Sequence, residues 1–245
     1  MKTRAIPLLF ALLLFAVPAE AKHRGFRYFP QDLDMEAPGT GELSLRSGFT
    51  RHGAPALAAP DLEIDLGLLR RLELGVDGQW GVNNAGDDWA ATDQMWLSFK
   101  HLLYDERLGS TAFALGVQHG PRVAATPTSK GLGYEALAMV GVRREAWQAL
   151  VSLGCGLDPH DTALGLRPWV VMGSVDLDWS LSDTWSLEAQ LLDAQGPGAP
   201  GWVESAGVAW QTGSRQLRMG GTTGYAGSQW APGLYVGFSQ KLDLR

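Results

Sequence analysis

Five histidines, a single cysteine and a scatter of serines and carboxylates are the side chains of this 245-residue chain that could do chemistry. His160 stands between Asp158 and Asp161, beside Pro159. A metal or acid–base site needs ligands converging from several directions, and two carboxylates and one imidazole on one short stretch lack that spread. The stretch reads as a solvated turn, and no metal is expected. A hydrolase would need a serine, a histidine and an acid held together on one wall. Ser98 and Ser152 could be nucleophiles with His101 or His119 as base, but the spacing does not bring them together. His101 and His119 read as single strand residues, in a lumen or at an interface. Cys155, between Leu153 and Leu157, has an apolar face and no second cysteine to pair with; a buried neutral thiol is a poor nucleophile. The run GLGYEA at 131–136 is glycine-rich but is followed by no helix whose N-terminus could hold a phosphate. These residues predict no catalytic group, no metal and no cofactor.

The charged residues are more regular. Leu62, Ile64, Leu66 and Leu68 fall on every second position, with Glu63, Asp65 and Gly67 between them. After Arg70-Arg71 the pattern resumes, Leu72, Leu74, Val76 and Trp80 against Glu73, Asp77 and Gln79. Period-two alternation means strand, because successive side chains point to opposite faces of a pleated sheet. This hairpin has one apolar face and one acidic face, and the unit is repeated along the chain. Glu63, Asp65, Glu73 and Lys100 are candidate residues of the polar face. So are Asp176, Asp178, Glu188, Arg218 and Lys241, together with Asp243. Carboxylates outnumber bases among them. They could pair across a narrow space and brace it, or give it a weak preference for cations, since rings of like charge set pore selectivity.

The remaining elements follow in order. Gly41 to Arg51 reads as a first strand and 52–60 as a loop rich in Ala and Pro. The polar stretch 83–92 reads as a loop. Gln94 to Tyr104 alternates Met95, Leu97 and Phe99 with Trp96, Ser98 and Lys100; Thr111 to Gly120 alternates Phe113, Leu115 and Val117 with Ala114, Gly116 and Gln118. A turn at 105–109 joins them, and 121–131 reads as a loop. Tyr134 to Arg143 and Trp147 to Leu157 form a hairpin. In its first arm, Leu137 and Met139 compete with Ala138, Val140 and Val142 for the apolar face. Trp169 to Trp179 and the strand from Trp185 flank a short turn, and the loop 195–201 precedes strands at 202–210, 216–225 and 234–244. The total is about twelve strands, with short turns alternating with longer loops, the asymmetry of outer-membrane barrels.

Residues 1–21 have the layout of a secretory signal peptide. Lys2 and Arg4 precede an apolar run from Ile6 to Val17, and Ala19-Glu20-Ala21 is a small-x-small cleavage site. Residues 22–39, with Pro30 and Pro38, read as an irregular lead-in, and 40–245 as the folded unit. Removing the signal makes the net charge more negative than −6. An acidic exported chain lacks the basic stripe that nucleic acid requires. No later stretch approaches the ~20 apolar residues of a membrane helix. Alternation fits a soluble sandwich as well as a barrel in lipid. The barrel is favoured by tryptophans at strand ends, among the ten in the chain, because such rings collect at the headgroup level. It is favoured too by closure, since a strand-only chain in lipid tolerates no open edge. The expected fold is therefore all-β, an antiparallel transmembrane β-barrel of the outer-membrane type.

The stretch RLELGVDGQW, a polar loop and DQMWLSFKHLL together resemble an outer-membrane family named for the MetA pathway of phenol degradation. The matching residues are Gly67, Leu72-Glu73-Leu74, Lys100 and Pro127-Thr128, then Leu181 to Glu188 and Ala231-Pro232 with Gly237. Ser129 stands where the family commonly has Gly, and the chain ends in Leu244-Arg245 where many barrels end in an aromatic residue. The resemblance spans most of the chain after residue 21 and implies a channel of the Gram-negative outer membrane for small, hydrophobic or aromatic molecules, with no catalytic residue. The partners expected are outer-membrane lipid, a small-molecule solute and the machinery that assembles such barrels. The alternatives are a structural barrel without flux and a barrel-borne lipid-modifying enzyme.

Overall fold

The computed structural model describes residues 35–52, 54–85, 88–124, 132–157, 169–195, 201–226, 229–230 and 232–244. The strands are β1 (Thr40–His52), β2 (Ala54–Leu69), β3 (Leu72–Ala85), β4 (Asp88–Leu108), β5 (Thr111–Ala124) and β6 (Leu132–Arg144). They continue with β7 (Trp147–Leu157), β8 (Trp169–Ser180), β9 (Trp185–Gln195), β10 (Gly201–Thr212) and β11 (Arg215–Ala226). The last two are β12 (Gln229–Trp230) and β13 (Gly233–Asp243). From β1 to β11 each strand pairs antiparallel with the next, β13 pairs with β11, and β13 returns to β1, from Thr40↔Asp243 to Thr50↔Gly233. The sheet therefore closes on itself. β12 and β13 both lie on β11, with Tyr225↔Trp230 and Thr222↔Gly233 in one register, so they are two parts of one stave and the barrel has twelve.

The alternation sorts side chains between two environments. In β7, Trp147, Val151, Leu153, Cys155 and Leu157 are exposed while Leu150, Ser152 and Gly156 are buried. β8 exposes Val171, Val175 and Leu177 and buries Val170, Ser174 and Asp176. The exposed side chains form a continuous apolar wall, with Leu153 at 64% and Leu234 at 70%. Such a wall needs a covering of hydrocarbon, and a barrel with every backbone group paired between strands is the form in which strands tolerate it. Cross-strand tryptophan pairs, Trp147↔Trp179 and Trp185↔Trp210, border this wall at one end, where amphipathic rings meet headgroups.

That same end carries the short turns. Arg70-Arg71, Gly109-Ser110, Glu145-Ala146 and Gly213-Ser214 each join two strands, and the start of β1 and the end of β13 lie there too. Gly109 and Gly213 have φ of 64° and 57°, the left-handed region that a two-residue turn requires and that a side chain resists. At the opposite end the strands run further than the sequence pattern predicts. β1 reaches His52 and β2 begins at Ala54, through the expected loop 52–60, and Asn83↔Ala90 pairing continues through much of the expected loop 83–92. Cross-strand hydrogen bonding extends these hairpins where alternation stops. The register shifts between Ala58 and Asp61, beside Pro60, which has no N–H for the ladder. β4 likewise runs to Leu108, through the expected turn at 105–109, and β5 to Ala124. The proposed signal peptide, the loop at 158–165 with His160, and most of 195–201 lie outside the described residues.

Candidate functional site

The lumen has a cavity of about 800 Å³ at the short-turn end. Glu63 and Asp65 from β2, Glu73 from β3 and Lys100 from β4 border it. So do Asp178, Glu188, Arg218 and Lys241 from β8, β9, β11 and β13. The cross-strand register brings them there: Glu73 is opposite Lys100, and Asp178 is opposite both Gln148 and Glu188. Asp176 does not border the cavity. It is 3% exposed and accepts hydrogen bonds from Gln190 Nε2 at 2.6 Å and Ser174 Oγ at 2.8 Å, so it belongs to a buried polar layer above the cavity.

The charges are largely mutually compensated. Lys100 Nζ lies 3.4 Å from Glu73 Oε1 and Arg218 Nε lies 3.2 Å from Glu188 Oε1. Arg218 Nε also donates to Gln216 Oε1 at 2.8 Å. Several partners were not among the candidates from sequence. Arg46 on β1 pairs with Glu63. Arg122 on β5 pairs with Glu135 on β6 at 2.5 Å and stacks its guanidinium 5.4 Å from the Trp96 ring centroid. Pro121 had made 121–131 look like a loop, which hid Arg122, and the mixed face of β6 hid Glu135. Glu36 closes the set. Its N–H donates to Glu73 Oε2 at 2.7 Å, and Lys241 Nζ donates to its Oε1 at 3.1 Å. The residues just before β1 are thus drawn across the mouth of the lumen.

Inward from the cavity, the next side chain on strand after strand is covered. Met139 on β6 is 0% exposed and Leu150 on β7 is 1% exposed, and Ala114 packs against them. Leu137 and Met139 therefore face the lumen, and Ala138, Val140 and Val142 face outward. Tyr235 on β13 lies flat across β11 and β10. A Cβ at Gly220 would come 2.6 Å from its ring, and one at Gly207 would strike its hydroxyl. Only glycine lets a ring lie so close to the wall. The lumen thus combines a charged mouth with a tightly packed interior in which, on β6–β8, Met139 and Leu150 stand beside the buried polar Ser152, Ser174 and Asp176.

Ser98 and Ser152 are buried on the inner face, 3% and 5% exposed. Ser98 Oγ accepts from Gln118 Nε2 at 3.1 Å, and Ser152 Oγ lies 2.6 Å from Ser174 Oγ. His101 and His119 point outward. The wall separates the two pairs, so neither serine can use either histidine as a base.

Among solved structures, the KdgM porin in complex with disordered oligogalacturonate superposes with a TM-score of 0.55. It is 7% identical, over 80% of this chain and 98% of that one. The fold is that of an outer-membrane β-barrel. Two others score below 0.5. Outer membrane phospholipase A from Escherichia coli has a TM-score of 0.49, 13% identity and coverage of 91% and 95% of the two chains. The CymD monoaromatic hydrocarbon channel has 0.46, 10% identity and coverage of 85% and 90%. No protein-family profile matches the chain, and no curated protein does.

Proposed function

We propose that this barrel sits in the outer membrane, short turns toward the periplasm, as a passive route for small molecules. The observation that carries the reading is the charged cavity of about 800 Å³ inside a closed barrel, opening at one end. A purely structural barrel has no use for a wet mouth of that size. The inward Leu137, Met139, Leu150 and Val170, set among Ser152, Ser174 and Asp176, offer apolar contacts for a hydrophobic or aromatic solute, in keeping with the family that the sequence resembles. Twelve strands leave a narrow interior, so the solute is small. The signal at 1–21 would send the chain out for cleavage and the assembly machinery would insert it, with no part for nucleic acid, cofactor or metal in the route itself. In the lumen, Glu63, Asp65, Glu73, Lys100, Asp178, Glu188, Arg218 and Lys241 form the conducting wall, while Asp176 braces it.

Liposome swelling with refolded barrel tests this. Small phenolic solutes should enter several-fold faster than sugars of equal mass, and Leu150→Ser should shrink that ratio. Equal rates would remove the aromatic preference. For the charge, Asp178→Asn should lower the cation preference of the reversal potential; an unchanged value would leave the carboxylates a bracing role alone. The second reading, a non-conducting structural barrel, is favoured by one observation: the complete burial of Met139 part-way along the lumen and of Val170 toward the end opposite the short turns.

A further inference from the structure

On the lipid-facing wall, three polar side chains from adjacent strands form a chain. His119 Nδ1 of β5 lies 2.7 Å from the Tyr134 hydroxyl of β6. His119 Nε2 lies 3.3 Å from His101 Nε2 of β4. The imidazoles are parallel to within 2° with centroids 5.2 Å apart, so they meet edge to edge, not face to face. The surrounding outward residues are apolar, Leu97, Phe99 and Leu115 among them. Polar groups exposed to hydrocarbon are expensive and need a partner or a purpose.

We propose that His101 and His119 form a binding site for one divalent cation of the zinc class on the outside of the barrel. Two nitrogens bound at about 2.0–2.1 Å to one tetrahedral ion lie about 3.3 Å apart, the separation of the two Nε2 atoms. The same separation suits one N–H···N hydrogen bond between the rings when no ion is bound. A metal-bound imidazole almost always donates its other N–H to an oxygen, which fixes the tautomer. The Tyr134 hydroxyl is so placed, accepting from His119 Nδ1 and leaving the Nε2 lone pair aimed at its neighbour. Small rotations of both rings would then point the two lone pairs at a common apex. The position also answers the cost of placing a charge in lipid. Leu72, the first residue after the Arg70-Arg71 turn, is opposite His101, and the Leu102 N–H donates to Arg71 O at 3.1 Å. His101 therefore stands level with the β2–β3 turn, toward the short-turn end of the apolar wall, and oxygen donors, water or lipid phosphate, can take the remaining positions. The cation would staple β4 to β5 from outside, independently of any flux through the lumen.

The test is cobalt titration of refolded barrel in phosphate-free, non-ionic detergent, followed by the visible bands of tetrahedral cobalt and displacement by zinc. We expect one equivalent per barrel. His101→Ala and His119→Ala should each abolish the bands, and Tyr134→Phe should weaken binding about 10–100-fold, as loss of such an outer partner does. The other histidines, His23, His52 and His160, provide the control: replacing all three should leave the titration unchanged. Heat-modifiable gel mobility reports folding, and His119→Gln replaces any alanine variant that fails to fold. Absence of binding to the folded protein, or binding that survives loss of both His101 and His119, would overturn the proposal. Phosphate lipid added to the micelles distinguishes the oxygen donors: tighter binding assigns phosphate, and an unchanged affinity assigns water.

Discussion

Glu188 shows how much a single lumen residue is asked to hold. Its side chain is 2% exposed and faces Arg218, itself 20% exposed. Removing one partner of a buried pair leaves the other charge desolvated, at a cost of about 3–5 kcal/mol. Glu188→Gln should therefore lower the unfolding free energy read from a denaturant titration by that order, and Glu188→Gln with Arg218→Met should recover much of the loss. A double variant no better than the single one would mean that the pair carries little. Tyr235 makes a second case. Gly220→Val should cost about 1–3 kcal/mol by overpacking against the Ala206 carbonyl and the ring, and Tyr235→Ala in the same chain should relieve the part due to the ring, a coupling that a double-mutant cycle reads directly. Additive effects would show that the ring does not lie on β11. Neither glycine could be singled out from sequence, because close approach is a property of three strands in register. The carboxylates were legible, since every second residue beside an apolar neighbour must face the other way. Arg122 and Glu135 were not, since a proline and a mixed face masked the period on β5 and β6.

The strands are defined by which face meets hydrocarbon. Leu153 lies mid-way along β7 and is 64% exposed on the outer wall. Leu153→Arg should cost about 2–4 kcal/mol of folding stability in lipid, whereas Gln118→Arg, on the wet inner wall of β5, should cost far less; comparable losses would contradict the assigned facing. The turn between β10 and β11 is the other sensitive element. Gly213→Ala puts a Cβ at φ 57° and should destabilise by about 1–2 kcal/mol. Elements with clean alternation, such as Trp147 to Leu157 and Trp169 to Trp179, were readable almost to the residue. The ends of β1 to β4 were not. Backbone pairing there continues through Pro55 and Asn83-Asn84, residues whose local chemistry favours turns, and resumes past the break at Pro60, so the ladder overrides local preference.

At the scale of the whole molecule, a closed sheet of twelve staves leaves an interior that side chains nearly fill. The short-turn half holds a cavity lined by charge; the middle is packed by Met139, Leu150, Tyr235 and their neighbours. Closure and strand number followed from counting alternating segments, because a strand-only chain with an apolar outer face has few other ways to end. The packed middle did not, since inward Leu and Met look the same in sequence as outward ones. The central claim is that solutes pass through this lumen, and single-channel current across a planar bilayer tests it most directly. The wild-type barrel should give a small, cation-preferring conductance, and the double variant Leu150→Ala with Tyr235→Ala should raise it several-fold. Folded protein that passes no current in either form would show that the lumen is not a route, and the barrel would stand as a structural element of its membrane.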